Sequence, residues 1–137
     1  MTSIPETPDA PLIRTDFSDE AAWETLLQRL REPVGEVEFL ASFTPVSETS
    51  FSGATPEALL DAITGRSPHA ILLVSDTRTM TDPRSPVLVV ELHGAGRTFR
   101  AEPESVQSIE NNLTIANMDW EDFAGRIDAE GIFIPFD

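Results

Sequence analysis

Ala70-Ile-Leu-Leu-Val74 and Val87-Leu-Val-Val-Glu-Leu92 are the two stretches on which the fold turns. Both are apolar without alternation, as a strand reads when both faces of its sheet are covered. The second runs into Gly94-Ala95-Gly96, small enough for a tight reversal, and then into Arg97-Thr-Phe-Arg-Ala101. Those last two segments are expected to form an antiparallel hairpin. The connection from Asp76 to Pro86 reads as a polar loop, longer than the usual ~4–6 residues.

Toward the N-terminus, Thr55-Pro56-Glu57 marks a helix start, with Thr55 as N-cap and Pro56 in the first turn. Leu59, Leu60 and Ile63 give it an inner face, and Gly65 is expected to close it. Val37, Phe39, Ala41 and Phe43 alternate with Glu38, Leu40 and Ser42, the pattern of a half-buried strand, and a loop containing Pro45, Phe51 and Gly53 follows. Trp23, Leu26, Leu27 and Leu30 recur at helical spacing, so a helix is expected over residues 19–31, capped by Ser18 and stopped by Pro33. Pro11 to Phe17 reads as the first strand, and residues 1–10, with two prolines and no secretory signature, as a flexible leader.

Beyond the hairpin, helices are expected near 104–114 and 119–129. Asp119 and Asp122 resemble a capping box, Trp120 and Phe123 anchor the last helix, and Ile132-Phe-Ile134 is a candidate short edge strand. The expected fold is α/β: one domain over residues 11–137, with a mixed, mostly parallel sheet of about five strands, flanking helices and a C-terminal helix pair. Two layers or three remain equally compatible with this order.

Composition removes chemistries. The chain holds 24 Asp and Glu against 9 basic residues, all Arg, and no Cys. Without Lys there is no Schiff base and no P-loop lysine; without Cys there is no thiol nucleophile, disulfide or thiolate metal site. A formal charge of −15 sets the chain against nucleic acid and anionic membranes, and favours a basic protein partner or simple solubility. No apolar run approaches a membrane span, and a cytoplasmic protein is expected.

Asp16 and Asp76 each follow an apolar strand, where open α/β sheets bind ligands, so they are candidates for a paired-carboxylate site for a divalent cation or phosphoryl chemistry. The plainer reading, that both cap neighbouring backbone, is favoured. Arg14, Arg78, Arg84, Arg97 and Arg100 are candidates for holding an anion, with surface ion pairing the commoner outcome. His69 and His93 stand apart, without metal-binding spacing, and no G-x-S-x-G or G-x-G-x-x-G is present. No metal or cofactor is expected. Asn111, Asn112 and Asn117 sit where caps and turns use them, and are candidates for reading a ligand or partner backbone.

The strings Arg14-Thr-Asp-Phe-Ser18, Pro86-Val-Leu-Val-Val90, Gly96-Arg-Thr-Phe-Arg100 and Glu110-Asn-Asn-Leu-Thr-Ile-Ala-Asn-Met-Asp119 resemble a family of small domains of unknown function common in actinobacteria. The resemblance runs from about residue 11 to 136 and implies a soluble bacterial single-domain protein, with no site residues to carry over. The expectation is a non-catalytic acidic interaction module, monomer or homodimer, with an immunity-type inhibitor of a basic protein as its sharpest form. The alternative is a small enzyme or ligand-binding protein whose site lies at the strand carboxyl ends.

Overall fold

The order of the strands follows from which of them are apolar on both faces. In the computed structural model, which describes residues 2–33, 40–63, 65 and 67–136, five strands form one sheet in the order β2-β1-β3-β4-β5. These are β1 (Ala10–Arg14), β2 (Phe43–Val46), β3 (Ile71–Ser75), β4 (Val87–Glu91) and β5 (Thr98–Ala101). The three fully buried strands β1, β3 and β4 occupy the centre, and the half-exposed β2 and β5 take the edges. β1 pairs parallel with β2 and β3, whereas β3–β4 and β4–β5 are antiparallel. The mixed five-stranded sheet is as expected. It is not mostly parallel: two pairings are parallel and two antiparallel, because β3, β4 and β5 follow one another across the sheet as neighbours that alternate in direction.

Alternate side chains of the central strands feed two cores, so the fold has three layers. Leu12, Leu73, Val89 and Phe99 face α1 (Glu20–Arg31), α4 (Pro103–Thr114) and α5 (Trp120–Ala124), which contribute Leu26, Leu30, Ile109 and Phe123. Ile13, Leu72, Val74 and Val90 face the other way, onto Phe51 and onto Leu59 of α2 (Pro56–Asp61). Each such side chain contributes roughly 1.5–3 kcal/mol of hydrophobic stabilisation. No helix among the described residues is long and apolar enough to cross a membrane.

Several elements differ from their sequence reading. Helix α1 is capped by Asp19, which accepts from the Ala22 amide at 3.0 Å; Ser18 lies one residue too early. Residues 37–39 of the strand expected over 37–43 lie outside the described residues, and β2 begins at Phe43 and includes Pro45. Proline is tolerated there because β2 is an edge strand, with one side free of ladder bonds. The Asp76–Pro86 connection contains a short helix, α3 (Thr77–Thr81), closed by a capping box between Asp76 and Thr79.

Helix α2 carries the expected Thr55 cap but ends at Asp61, before Gly65. Helix α5 carries the expected Asp119–Asp122 box but stops at Ala124, where Gly125 turns the chain back toward the sheet. Ile132 then makes a single parallel bridge to Arg100 of β5, in place of a full edge strand. The segment read as a leader lies against the domain. Ile4 is buried in the second core, and its amide donates to the Ala62 carbonyl at 2.9 Å.

Candidate functional site

Arg14 closes β1 on the α1 side of the sheet, where strand alternation sends every second side chain. Its guanidinium is almost wholly buried, 4.6 Å from the Phe17 ring centre and 5.0 Å from that of Trp23. The charge is satisfied on three sides. Nε donates to the Asp16 carbonyl at 3.3 Å, Nη1 to Ser47 Oγ at 3.3 Å and Nη2 to Glu20 Oε2 at 2.8 Å. One buried arginine therefore ties together the β1–α1 turn, the first turn of α1 and the end of β2.

Carboxylates crowd the outside of this joint. Asp19 caps α1, Glu20 is 70% exposed, Glu24 follows one turn later, and Glu48 comes directly after Ser47. Asp16 accepts from the Ser18 amide at 2.9 Å. The Ser18 side-chain and backbone hydrogen bonds, helped by Thr77 and the Arg14 charge, hold its carboxyl below the usual aspartate range. Asp16 and Asp19 serve local backbone, Glu20 pairs with Arg14, and Glu24 and Glu48 face solvent.

Asp76 stands one strand over and turns toward β5. Arg100 donates to it in a fork, Nη1 to Oδ1 at 2.9 Å and Nη2 to Oδ2 at 2.7 Å, and Thr79 adds its amide and hydroxyl. Burial by itself would raise this carboxyl; the Arg100 fork and the Thr79 bonds outweigh burial and lower it. Between Asp16 and Asp76 backbone hydrogen bonds continue past the strand ends. The Thr15 amide donates to the Ser75 carbonyl at 3.0 Å, and the Gly53 amide to the Thr15 carbonyl at 2.8 Å. The two aspartates thus face different partners, and no group of three or more His, Asp or Glu among the described residues is placed to hold a metal ion.

Arg78, Arg84 and Arg100 do come together, at the corner beyond Asp76. Arg78 donates to the Glu130 carbonyl at 2.9 Å, while Arg84 bridges Asp128 and Glu130 at 3.0 Å each and Glu102 at 3.4 Å. A shallow groove of about 300 Å³ beside them is lined by Arg78, Leu88, Thr98, Arg100, Ile127 and Glu130. Carboxylates already occupy Arg84 and Arg100, which leaves this corner without surplus positive charge for an anion.

The asparagines serve the end of α4. The Asn117 amide donates to the Asn112 carbonyl, the Ala116 amide to Leu113, and Asn117 Nδ2 to Asn112 Oδ1 at 2.9 Å. This is a Schellman closure with Ala116, at φ 55°, in the left-handed position usually given to glycine. Asn112 Nδ2 also donates back to the Ser108 carbonyl at 2.8 Å, and Asn111 contributes its carbonyl to Ile115. The side chains of Asn112 and Asn117 thus serve the helix end, while that of Asn111 is exposed.

The opposite end of the sheet holds groups that the sequence reading did not single out. Glu110 of α4 is 8% exposed, and its one side-chain hydrogen bond comes from Thr114 Oγ1 at 3.2 Å. Burial pushes its carboxyl up, and the nearby Asp9 pushes the same way; Thr114 and His69 oppose them. The signal was present in the sequence: Glu110 falls beside Val106, Ile109 and Leu113 on the apolar stripe of α4. Nearby, Glu91 gathers the hairpin by accepting from the Ala95 amide and from Arg97 Nε and Nη2. The Arg97 bonds hold its carboxyl low. A cleft of about 370 Å³ opens there between Leu60, Leu92, His93 and Gly96, and a smaller one of about 210 Å³ lies between Ile4, Pro11, Pro68 and His69.

A family model described as a domain of unknown function (DUF6924) matches residues 9–136 of the chain. No curated protein matches it.

Proposed function

The chain belongs to the DUF6924 family, and from that premise and its own surface we propose that it is a non-catalytic, acidic protein-interaction module for a basic partner. One observation carries the reading. Every described arginine is engaged within the protein: Arg14, Arg29, Arg84, Arg97 and Arg100 in ion pairs, Arg78 and Arg126 on backbone carbonyls, and Arg31 against the Phe43 ring. The surplus of acid is therefore left to the outside. Among the described residues, the carboxylates of Asp16, Asp19, Glu24 and Glu48 form no ion pair, and they lie about a joint whose arginine, Arg14, is buried.

Such a face speeds encounter with a positive surface and repels nucleic acid and anionic lipid. An inhibitor of a basic protein, of the immunity type, is the sharper form of the same reading. The alternative of an enzyme at the strand carboxyl ends draws less support, because Asp16 and Asp76 answer to different partners, Ser18 and Arg100.

The test is capture from the native host with the wild-type chain and with the combined Asp16→Asn, Asp19→Asn, Glu24→Gln, Glu48→Gln variant. A basic protein held by the wild type, released by salt and missed by the variant is the expected result. Recovery of a small molecule and no protein, or equal capture by both chains, overturns the reading.

A further inference from the structure

The turn that joins β4 to β5, residues 92–97, is built on a carboxylate. Glu91, the last residue of β4, is 8% exposed and sends its side chain into the turn that follows it. Its Oε1 accepts from the Ala95 amide at 3.1 Å, the Arg97 amide at 3.4 Å and Arg97 Nε at 3.0 Å. Oε2 accepts from Arg97 Nη2 at 2.7 Å. A Cβ placed on Gly94 would stand 2.5 Å from the Glu91 carboxyl carbon and 2.6 and 2.7 Å from its oxygens, so the Gly94 backbone rests directly on the charge.

The same turn is a wall of the 370 Å³ cleft, which Leu60 and Ile63 also line. Gly96, at φ 73°, lies so close to α2 that a Cβ there would come within 2.9 Å of Leu60 Cδ1. Arg97 also reaches the first turn of α5, where Nη1 donates to Glu121 Oε1 at 2.8 Å and the guanidinium stands 5.8 Å from the Trp120 ring centre. Among the described residues, the charged or titratable groups about Glu91 are Arg97 on the turn, Glu121 on α5, and His93, which shares the cleft lining. Apart from the Glu91 side chain, the base of the turn is closed by the Glu91 amide on the Arg97 carbonyl at 2.9 Å.

We propose that residues 92–97 form a gate on this cleft, latched by the ionised Glu91 carboxylate and released when that carboxylate takes a proton. A neutral carboxyl carries a hydroxyl that meets the Arg97 N–H groups donor to donor, and its remaining acceptor is weaker. It does not satisfy two amides and a guanidinium together. Gly94 and Gly96 then leave the turn free to change conformation. Released, Gly94 to Gly96 move off Leu60 and widen the cleft, while Arg97 stays with Glu121. The Arg97 bonds hold the Glu91 carboxyl low, so the latch is complete above the ordinary glutamate range and is lost as pH falls through the lowered value.

Nuclear magnetic resonance on the intact chain reads the latch at single amides. In the wild type the Ala95 and Arg97 amide shifts should titrate together, with one midpoint below the ordinary glutamate range. After correction for intrinsic exchange, their protection should fall across that range by about tenfold for each unit by which opening raises the Glu91 pKa. Glu91→Gln stands in for the protonated acid: at pH 7 both amides should lose about tenfold in protection, and the titration should vanish. Gly94→Ala, whose methyl strikes the carboxyl, should release the same amides at pH 7 with Glu91 still ionised. Wild-type protection of Ala95 in Glu91→Gln, or a titration of these amides that persists in that variant, overturns the proposal. Amides of the central strand β3 are the control; a loss there in step with the turn reports global unfolding and also counts against a gate.

Discussion

Asp76 and Glu110 are both largely enclosed carboxylates at opposite ends of one sheet, and their acidities move in opposite directions. Burial acts on both and would raise both. At the Asp76 end a guanidinium meets the carboxylate in a two-pronged fork and Thr79 completes its bonding, so the ionised form wins. At the Glu110 end the nearest help is one threonine hydroxyl, and the neighbouring Asp9 makes ionisation harder. Burial does not decide the charge state of a side chain; the partner supplied by the fold does.

The largest break in this comparison is expected from Arg100→Met. It strands Asp76 in a partly enclosed site and should lower unfolding free energy by about 3 kcal/mol, read by urea denaturation at neutral pH. Adding Asp76→Asn should restore most of the loss, since the neutral amide still caps α3. If the double variant is no more stable than Arg100→Met, the fork is not what holds that end.

At the other end the prediction reverses. Glu110→Gln should stabilise the protein, by about 1.4 kcal/mol for every unit of the upward shift, but only at pH above the Glu110 value. Thermal melts at pH 8 and pH 4.5 separate the two conditions; a gain of equal size at both would show that charge is not the cause. Asp76 carries the opposite sign. Its stabilisation is complete above the ordinary aspartate range and is lost as pH falls through its lowered value, and Asp16, Glu91 and Asp128 share that direction. Acid should therefore loosen the Asp76 end while it secures the Glu110 end.

A smaller effect sharpens the contrast at the α4 terminus. Ala116→Gly relieves a left-handed alanine and should add about 0.5 kcal/mol, measurable as a shift of the urea midpoint with unchanged slope. Least of all is Glu24→Gln, on the exposed face of α1. It should leave stability within about 0.5 kcal/mol of wild type while slowing association with a basic partner.

The parts legible in the sequence share one property: their signals are local. The Trp23–Leu30 stripe, the Thr55-Pro56 start, the Asp119–Asp122 box and the Gly94–Gly96 reversal all stand where their own spacing put them. Helix α3 is not legible in the sequence because Thr-Arg-Thr-Met-Thr has neither apolar period nor good helix propensity. It exists through the Asp76 cap and through Thr79 Oγ1, which donates to the Pro86 carbonyl at 2.9 Å. Pro45 reads as loop from the sequence, and only the strand order reveals that β2 lies at an edge, where a proline is tolerated.

The candidate site divides the same way. That Asp16 and Asp76 follow strands was plain from the sequence; that one answers to Ser18 and the other to Arg100 required the sheet. Arg78 and Arg84 were named without a meeting point, which Glu130, far along the chain, provides.

By itself the sequence determined an α/β domain with a buried centre, an acid surplus, and no lysine or cysteine chemistry, because those properties depend on composition and on neighbours within a few residues. The tertiary structure alone decided which carboxylate gains a cation and which is enclosed without one. Pairing joins residues 24 apart at Asp76–Arg100, and packing of α4 on the sheet encloses Glu110 with Thr114 as its hydrogen-bond partner. Distance along the chain carries no information about such meetings; the order of the strands creates them.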